Sequence, residues 1–159
     1  MDPIELIKED HRRVEALFEE YEAFGDDAYE QKATLVNTII EELEAHTEME
    51  ETIAYPVFLK ALDDEGDKKV EEAYAEHEVA KHLIEEIKGL DPQDPQYAAK
   101  VTVLKENIMH HVGEEETDLL PAAEEAVSCE EMARIGEEMM AFKDAREDEA
   151  LDAALEADL

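Results

Sequence analysis

Cysteine is nearly absent from the sequence, which contains Cys129 alone. A single cysteine excludes an internal disulfide, a thiolate metal cage and a CxxC redox motif. Long apolar runs are missing too, since no stretch approaches the roughly 18 uncharged residues that a membrane span requires. The N-terminus lacks a basic segment followed by an apolar run, so we expect no secretory signal and a cytoplasmic location.

Basic residues are also scarce: 14 Lys and Arg stand against 47 Asp and Glu, for a formal net charge of −33. So negative a surface repels phosphate backbones and anionic lipids, and we expect neither nucleic acid nor a membrane as a partner. Tryptophan is absent and Gly and Pro number five each. Glu, Ala, Leu and Lys, which lose little side-chain freedom in a helix, predominate and favour an all-α protein. The length of 159 residues fits one domain.

Capping residues and helix breakers predict four long helices and a short fifth one. The predicted helices cover about 3–24, 28–62, 68–88, 95–127 and 129–146. Pro56 and Pro121 should perturb the last turns of the second and fourth helices. Because the connections are short, neighbouring helices should be antiparallel. We expect an up-down-up-down four-helix bundle over residues 1–127, and a fifth helix with an acidic tail over residues 128–159 that packs on the bundle or extends from it.

Each of the four bundle helices has an apolar stripe that ionisable residues interrupt. In the second helix, for example, His46 and Glu50 lie on the same face as Leu43. Burying an unpaired imidazole or carboxylate costs several kcal/mol, so such groups persist in cores when they are paired or bound to metal. The interrupting residues are His11, His46, Glu50, His77, His111 and Glu115. A dinuclear metal centre accounts for them, with carboxylates that bridge two ions and imidazoles that complete the coordination.

The spacing of these residues occurs twice. Residues four apart on a helix differ by about 40° in direction and about 6 Å in height, so His46 and Glu50 face the same point. His111 and Glu115 repeat this HxxxE unit, and both units are followed by a second Glu and, at the same interval, by a proline. Asp10-His11 and Glu76-His77 correspond in the same way. The pattern indicates two helical hairpins related by a pseudo-twofold axis.

Several alternatives to this ligand set are open. His110 also begins an HxxxE unit, but its helical neighbours Asn107 and Thr117 are polar, so we expect it to flank the site or face solvent. His82 lies about 140° around the helix from His77 and should be at the surface. No histidine has a Glu three residues before it, so the ferritin-type ExxH unit is absent. Structural zinc sites are typically four-coordinate, so six converging ligands favour two octahedral-type ions.

Other residues could surround the centre. Ala54, one turn beyond the first HxxxE unit, has a small side chain that leaves room for an exogenous ligand. Glu51 and Glu116 are candidates to accept hydrogen bonds from ligating imidazoles. Tyr21 and Tyr55 are expected in ordinary packing, with donation to a bound oxygen species as the alternative for each.

These motifs resemble the hemerythrin-like family, also called HHE cation-binding domains, whose pattern is H…HxxxE…H…HxxxE. The resemblance covers about residues 2–126, and the segment 128–140 resembles the extra helix of many bacterial members. It implies a non-haem di-iron site with terminal histidines, with Glu50 and Glu115 as bridges, and with a bridging oxo, hydroxo or water oxygen.

The resemblance departs from the family at one ligand. A classical hemerythrin has a fifth histidine one turn from the third-helix ligand, whereas Ala73 and Lys81 stand one turn either side of His77. The departure counts against simple reversible O2 carriage and opens a coordination position. The resemblance implies a protein that binds or reacts with O2, peroxide or NO. Binding or sensing, catalase-like peroxide disproportionation and iron donation for iron–sulfur cluster repair all remain open, as do enzymatic activity and a monomeric or weakly dimeric state.

The excess of acidic residues predicts that salt stabilises the protein. Repulsion among surface carboxylates should weaken as salt is added, because the Debye length falls to about 3 Å near 1 M. We expect the melting temperature to rise between low salt and molar salt, as measured by circular dichroism. An unchanged melting temperature would contradict this prediction.

Overall fold

A computed structural model describes residues 2–157 of the chain, which are helical except at short connections and contain no strand. The α-helices are α1 (Pro3–Ala23), α2 (Tyr29–Met49), α3 (Tyr55–Ala61), α4 (Asp64–Lys88), α5 (Pro95–Glu114), α6 (Leu120–Ala126) and α7 (Cys129–Ala157). Two π-helical turns, Glu50–Ala54 and Glu115–Leu119, join α2 to α3 and α5 to α6. Met1, Asp158 and Leu159, which the predicted segments 1–127 and 128–159 include, lie outside the described residues.

The four rods of the bundle are α1, α2 with α3, α4, and α5 with α6. The most extensive packing is of α1 on α2 and of α4 on α5, so the bundle consists of two helical hairpins. Asp2 and Asp94 cap α1 and α5 by accepting the backbone N–H of the second residue after them, as their sequence signals indicate. The all-α bundle that the sequence predicts is confirmed.

Helix α4 begins at Asp64, four residues before the predicted start. Asp63 caps it by accepting the N–H of Gly66 at 2.9 Å, and the acidic residues that follow are favourable at a helix N-terminus. Gly66, which we expected in a turn, lies in the first helical turn instead. A Cβ atom on it would lie 2.6 Å from the Leu62 Cβ, so glycine allows the close approach of Leu62.

The apolar core is divided into two clusters, one at each end of the bundle. The first includes Ile7, Tyr55, Phe58, Val70, Leu120, Ile135 and Met139. The second includes Val14, Phe18, Ile39, Leu43, Ile84, Leu104 and Ile108. On each rod the predicted ligands stand between the two clusters; His11, for example, lies between Ile7 and Val14. The interruptions of the four apolar stripes therefore meet at one level of the bundle.

Helix α7 extends to Ala157, about eleven residues beyond the predicted end of the fifth helix. Ile135 and Met139 bury its first half against the first cluster, and the helix contacts α1, α2 and the π-helical turn at Glu50. The acidic tail continues the helix because residues 137–157 contain neither Gly nor Pro and are rich in helix formers. Side chains near the end of α7, such as Leu151 and Leu155, are exposed to solvent.

No helix among residues 2–157 has an apolar stretch long enough to cross a bilayer.

Candidate metal centre

Two π-helical turns begin at the glutamates that were predicted as bridges. In the first, the N–H of Tyr55 bonds to the carbonyl of Glu50, five residues back instead of four, and the turn at Glu115 has the same geometry. Pro56 and Pro121 are the second residues after these turns. Since proline lacks an N–H and its ring clashes with the carbonyl four residues back, a wider turn accommodates it within a continuous rod. Such turns are frequent at functional sites.

All six predicted ligands lie in one buried layer, with between 0% and 7% of each residue exposed. Their ligand atoms form two groups, and within each group the atoms lie within 4.8 Å of one another. One group consists of His11, His46, Glu50 and Glu115, and the other of Glu50, His77 and His111. Glu50 belongs to both. The structure thus brings all six residues together, while their role as metal ligands stays a prediction.

Each central carboxylate spans histidines from both hairpins. The Oε1 atom of Glu50 lies 3.0 Å from the Nε2 of His46 and 3.3 Å from the Nε2 of His77. In the other half, Glu115 has Oε1 3.1 Å from the Nε2 of His11 and Oε2 3.2 Å from the Nε2 of His111. Each of the two carboxylates therefore contacts imidazoles of both hairpins, which is the arrangement expected of a carboxylate that bridges two ions.

The donor atoms of this layer fit metal ions better than they fit one another. The Nε2 atoms of His11 and His46, both oxygens of Glu50 and Oε1 of Glu115 are buried and have no hydrogen-bond partner. The short distances between these nitrogen and oxygen atoms are therefore close contacts and not hydrogen bonds. Each unpartnered buried atom costs about 1–3 kcal/mol, and cations at their common focus would satisfy all of them. Nitrogen and carboxylate donors together suit iron, manganese or zinc.

A second layer of carboxylates surrounds the four histidines. The Nδ1 atom of every imidazole is hydrogen-bonded to a carboxylate, which leaves Nε2 to face the centre. The pairs are His11 with Glu116 at 2.7 Å, His46 with Asp10 at 2.8 Å, His77 with Glu51 at 3.0 Å and His111 with Glu76 at 3.0 Å.

These pairs follow the sequence repeat. Asp10 and Glu76, which precede the first histidine of each hairpin, bond the HxxxE histidine of their own hairpin. Glu51 and Glu116, which follow the central glutamates, bond the first histidine of the opposite hairpin. Glu51 and Glu116 were predicted, whereas Asp10 and Glu76 were missed. Their correspondence in the repeat was the available signal, because a symmetric pair of acidic residues beside two ligands is unexpected for solvated surface positions.

Three of the four outer carboxylates have a cationic partner. Asp10 accepts from Lys143 of α7 and from Arg13 at 3.3 Å. Lys81 contacts Glu51 at 3.0 Å, and Arg12 bonds Glu116. Burial alone would raise the pKa of Asp10, but the bonds and charges of His46 and Lys143 hold it below the usual value. Within the described chain, no Lys or Arg lies within ion-pair distance of Glu76, the fourth of the set.

The neighbouring carboxylates favour the protonated form of two of the four imidazoles, His46 and His111. Burial alone would lower the pKa of His46, but the charge of Glu50 and the hydrogen bond to Asp10 raise it to about 10. Burial alone would also lower the pKa of His111, but the hydrogen bond and charge of Glu115 and the charge of Glu50 raise it to about 9. The pKa of Glu50 falls well below its usual value: burial would raise it, but the charges and bonds of His46 and His77 dominate.

Tyr55 lies at the centre, contrary to the expectation of ordinary packing. Its buried hydroxyl donates to Oε2 of Glu115 and lies 3.4 Å from the Nε2 of His77, on whose ring it stacks. Burial and the charges of Glu115 and Glu50 raise the pKa of Tyr55 well above the usual value. Leu120 occupies the equivalent position of the other hairpin, so the phenol breaks the pseudo-symmetry.

The other candidates lie away from the buried layer. Tyr21 packs in the second apolar cluster. The side chains of His110 and His82 are 67% and 79% exposed, as their helical phase indicated. Ala54 is buried in the first cluster.

Comparison with known proteins agrees with this architecture. The family model for the hemerythrin HHE cation binding domain matches residues 2–123. A protein of Nostoc sp. named DNA nickase is 32% identical over 139 residues, which are 87% of this chain and 38% of that protein. An uncharacterised hemerythrin-like protein of Schizosaccharomyces pombe is 27% identical over 127 residues, which are 80% of this chain and 62% of that protein. The chain thus matches less than two thirds of either relative.

A solved structure has the same fold. The crystal structure of a hemerythrin HHE cation binding domain-containing protein from Mycobacterium kansasii superposes with a TM-score of 0.79, covering 95% of this chain and 90% of that one at 24% identity. The family model spans most of the chain, and the described geometry has the two HxxxE units at one level of a helical bundle. The chain therefore belongs to the hemerythrin HHE cation-binding domain family.

Proposed function

We propose that this chain is a non-haem di-iron protein that binds or reacts with O2, peroxide or NO. The observation that carries the proposal is the sharing of Glu50 by two groups of buried donor atoms, several of which have no hydrogen-bond partner. His11 and His46 would hold one ion, and His77 and His111 the other, with Glu50 and Glu115 between them. When bound, the iron pair supplies a redox-active, Lewis-acidic centre with a bridging oxo, hydroxo or water oxygen.

The surrounding residues would prepare this site before metal arrives. The four outer carboxylates fix each imidazole with Nε2 towards the centre, as partners of ligating histidines usually do. The two apolar clusters exclude water above and below the layer. Ala73, at one of the two places expected for the missing fifth histidine, lines a groove beside His111 and Glu115 that leaves space for an exogenous ligand.

Tyr55 favours peroxide chemistry over simple O2 carriage. Its hydroxyl is the phenolic donor in the buried layer and can donate a proton or a hydrogen bond to a small oxygen ligand held near Glu115. A site that only carries O2 reversibly does not need a buried proton donor such as this hydroxyl. Binding or sensing of O2 or NO is the second candidate, and iron donation for cluster repair is a third that no feature of the site favours.

Nucleic acid is not part of the proposal despite the name of the Nostoc relative. The match covers 38% of that protein, and its printed activity concerns the whole of it. The formal charge of −33 opposes association with a phosphate backbone. The cytoplasmic location and the monomeric or weakly dimeric state stay predictions from the sequence.

The first prediction from the proposed di-iron function concerns the metal content of the protein. Protein expressed in iron-replete medium should contain about two iron ions per chain, as measured by plasma emission spectrometry, because the ligand set forms two positions. His46→Ala should lose most of this iron, since a buried ligand is removed. His82→Ala, which removes an exposed histidine, should retain it. A single zinc ion per chain in the wild-type protein would contradict the di-iron proposal.

The second prediction concerns reactivity. The iron-loaded protein should evolve O2 from hydrogen peroxide in an oxygen-electrode assay, and Tyr55→Phe should lower the rate about 100-fold, in the range of a positioned proton donor. Tyr21→Phe is the matched control, because that phenol packs in the second cluster, and it should leave the rate unchanged. If the wild-type protein instead gave an oxy spectrum that reverses under vacuum and evolved no O2, carriage would replace peroxide chemistry in this account.

The third prediction concerns protons. Because the pKa of His46 is about 10 and that of His111 about 9, both are protonated at pH 7 without metal and must lose a proton to bind it. Metal binding at pH 7 should therefore release about two protons per chain from these residues, and apparent affinity should rise with pH. Calorimetry in buffers of different ionisation enthalpy measures the release. Near pH 10 the release should fall, and none at pH 7 would refute the protonated site.

A further inference from the structure

A second group of metal-ligand atoms lies at the surface beside the buried centre. The Nε2 of His110 is 3.0 Å from Oε1 of Glu114 and 3.7 Å from Oε2 of Glu76. Ligand atoms from the three residues lie within 4.8 Å of one another. His110 and Glu114 form an HxxxE unit one residue out of phase with the buried pair, and Glu76 is supplied by the neighbouring helix α4. One imidazole and two carboxylates suit a borderline divalent cation such as Fe2+ or Zn2+.

No Lys or Arg among residues 2–157 forms an ion pair with either of these two carboxylates. The ion-pair partners of Glu76 and Glu114 there are histidines, with no Lys or Arg in reach. The negative charge of the whole chain adds to the local potential that attracts a cation. Asn107 donates to the backbone carbonyl of Glu76 at 3.4 Å and so ties α5 to α4 close to the group.

The exposed pair His82 and Glu86 is the natural comparison. It has the same spacing of four residues, and its Nε2–Oε1 distance is 3.1 Å. Glu86, however, is bonded to Lys100 at 2.5 Å, and that bond, with the charges of Lys100 and His82, lowers its pKa. A lysine thus occupies the place where a cation would bind, and no third ligand residue joins the pair in the described chain. The four-residue spacing between His and Glu is therefore not sufficient by itself to produce a three-residue group like the one at His110.

Glu76 connects the surface group to the buried layer. Its Oε2 atom faces His110, while Oε1 bonds the Nδ1 of His111 at 3.0 Å. A groove of about 320 Å³ between α4 and α5 is lined by Glu76 and Glu114 at the surface and by His111 and Glu115 further in, with Lys68 and Lys69 among its other residues. The groove therefore joins two of the three surface residues, Glu76 and Glu114, to His111 and Glu115, and Glu76 itself contacts both His110 and His111.

We propose that Glu76, His110 and Glu114 form a surface site for a divalent cation that captures Fe2+ and passes it through this groove to the buried centre. The delivery role rests on the proposed di-iron function, whereas the surface site does not. Binding at the surface would draw on Oε2 of Glu76 and leave Oε1 on His111, so the two sites can be occupied together.

Metal titration tests the surface site. Metal-free protein is titrated with Zn2+ in about 1 M NaCl, where diffuse attraction to the acidic surface is screened. His110→Ala should bind one ion per chain fewer than the wild-type protein, and His82→Ala should bind as many as the wild type. Glu114→Gln should repeat the loss and serves as the second variant. Equal binding by wild type and His110→Ala, or an equal loss in His82→Ala, would overturn the proposal.

Two further readouts separate this proposal from the di-iron function. Side-chain NMR should show the His110 ring signals shifting on Zn2+ addition while those of His82 stay in place, whatever the centre contains. If the centre failed to hold two ions, the difference of one ion between wild type and His110→Ala would still be present. The failure of either proposal is therefore visible without the other.

Delivery has its own test. Metal-free protein is mixed anaerobically with limiting Fe2+, desalted at intervals, and analysed for iron retained by the buried centre. His110→Ala should fill several-fold more slowly than wild type yet reach the same final content of the centre, and His82→Ala should fill at the wild-type rate. A wild-type rate in His110→Ala would overturn the delivery role.

Discussion

Two carboxylates, those of Glu50 and Glu115, lie buried in the middle of the bundle, between imidazoles that come from both hairpins. Charges buried at this depth are tolerated when other charges compensate them, and several features of the structure provide or position the compensating groups. The hairpins must align so that four apolar stripes are interrupted at the same height. Two π-helical turns start at these residues, and four outer carboxylates hold the histidines. The centre thus fixes the register of the bundle.

The bundle and the positions of the six inner residues could be predicted because both depend on periodicity. Apolar stripes place residues on one face of a helix, and an imidazole such as His46 within a stripe has few explanations other than a ligand or a paired core residue. The outer layer was only half predicted. Glu51 follows a ligand and shares its surroundings, whereas the role of Asp10 depends on the angle between two helices, which spacing within one helix does not encode.

The remaining differences arise from tertiary structure. The hydroxyl of Tyr55 reaches the centre because a π-helical turn changes the helical phase after Glu50, and a regular α-helix would direct the side chain elsewhere. Helix α7 continues through the acidic tail because no residue there stops it. The same helix supplies Lys143 to Asp10, so α7 is connected through one carboxylate to His46, a predicted ligand.

The two halves are related by sequence but differ in chemistry. One half presents a phenol where the other has Leu120, and one outer carboxylate faces an exposed histidine while the other three are paired with cations. The common frame is the basis of the proposed bridged pair of ions, and the differences would give each ion its own surroundings. Anomalous diffraction at the iron edge from crystals of the iron-loaded protein tests this directly. The account predicts two iron peaks about 3.5–4 Å apart, both in contact with Glu50 and Glu115; a single peak, or two that share neither carboxylate, would contradict it.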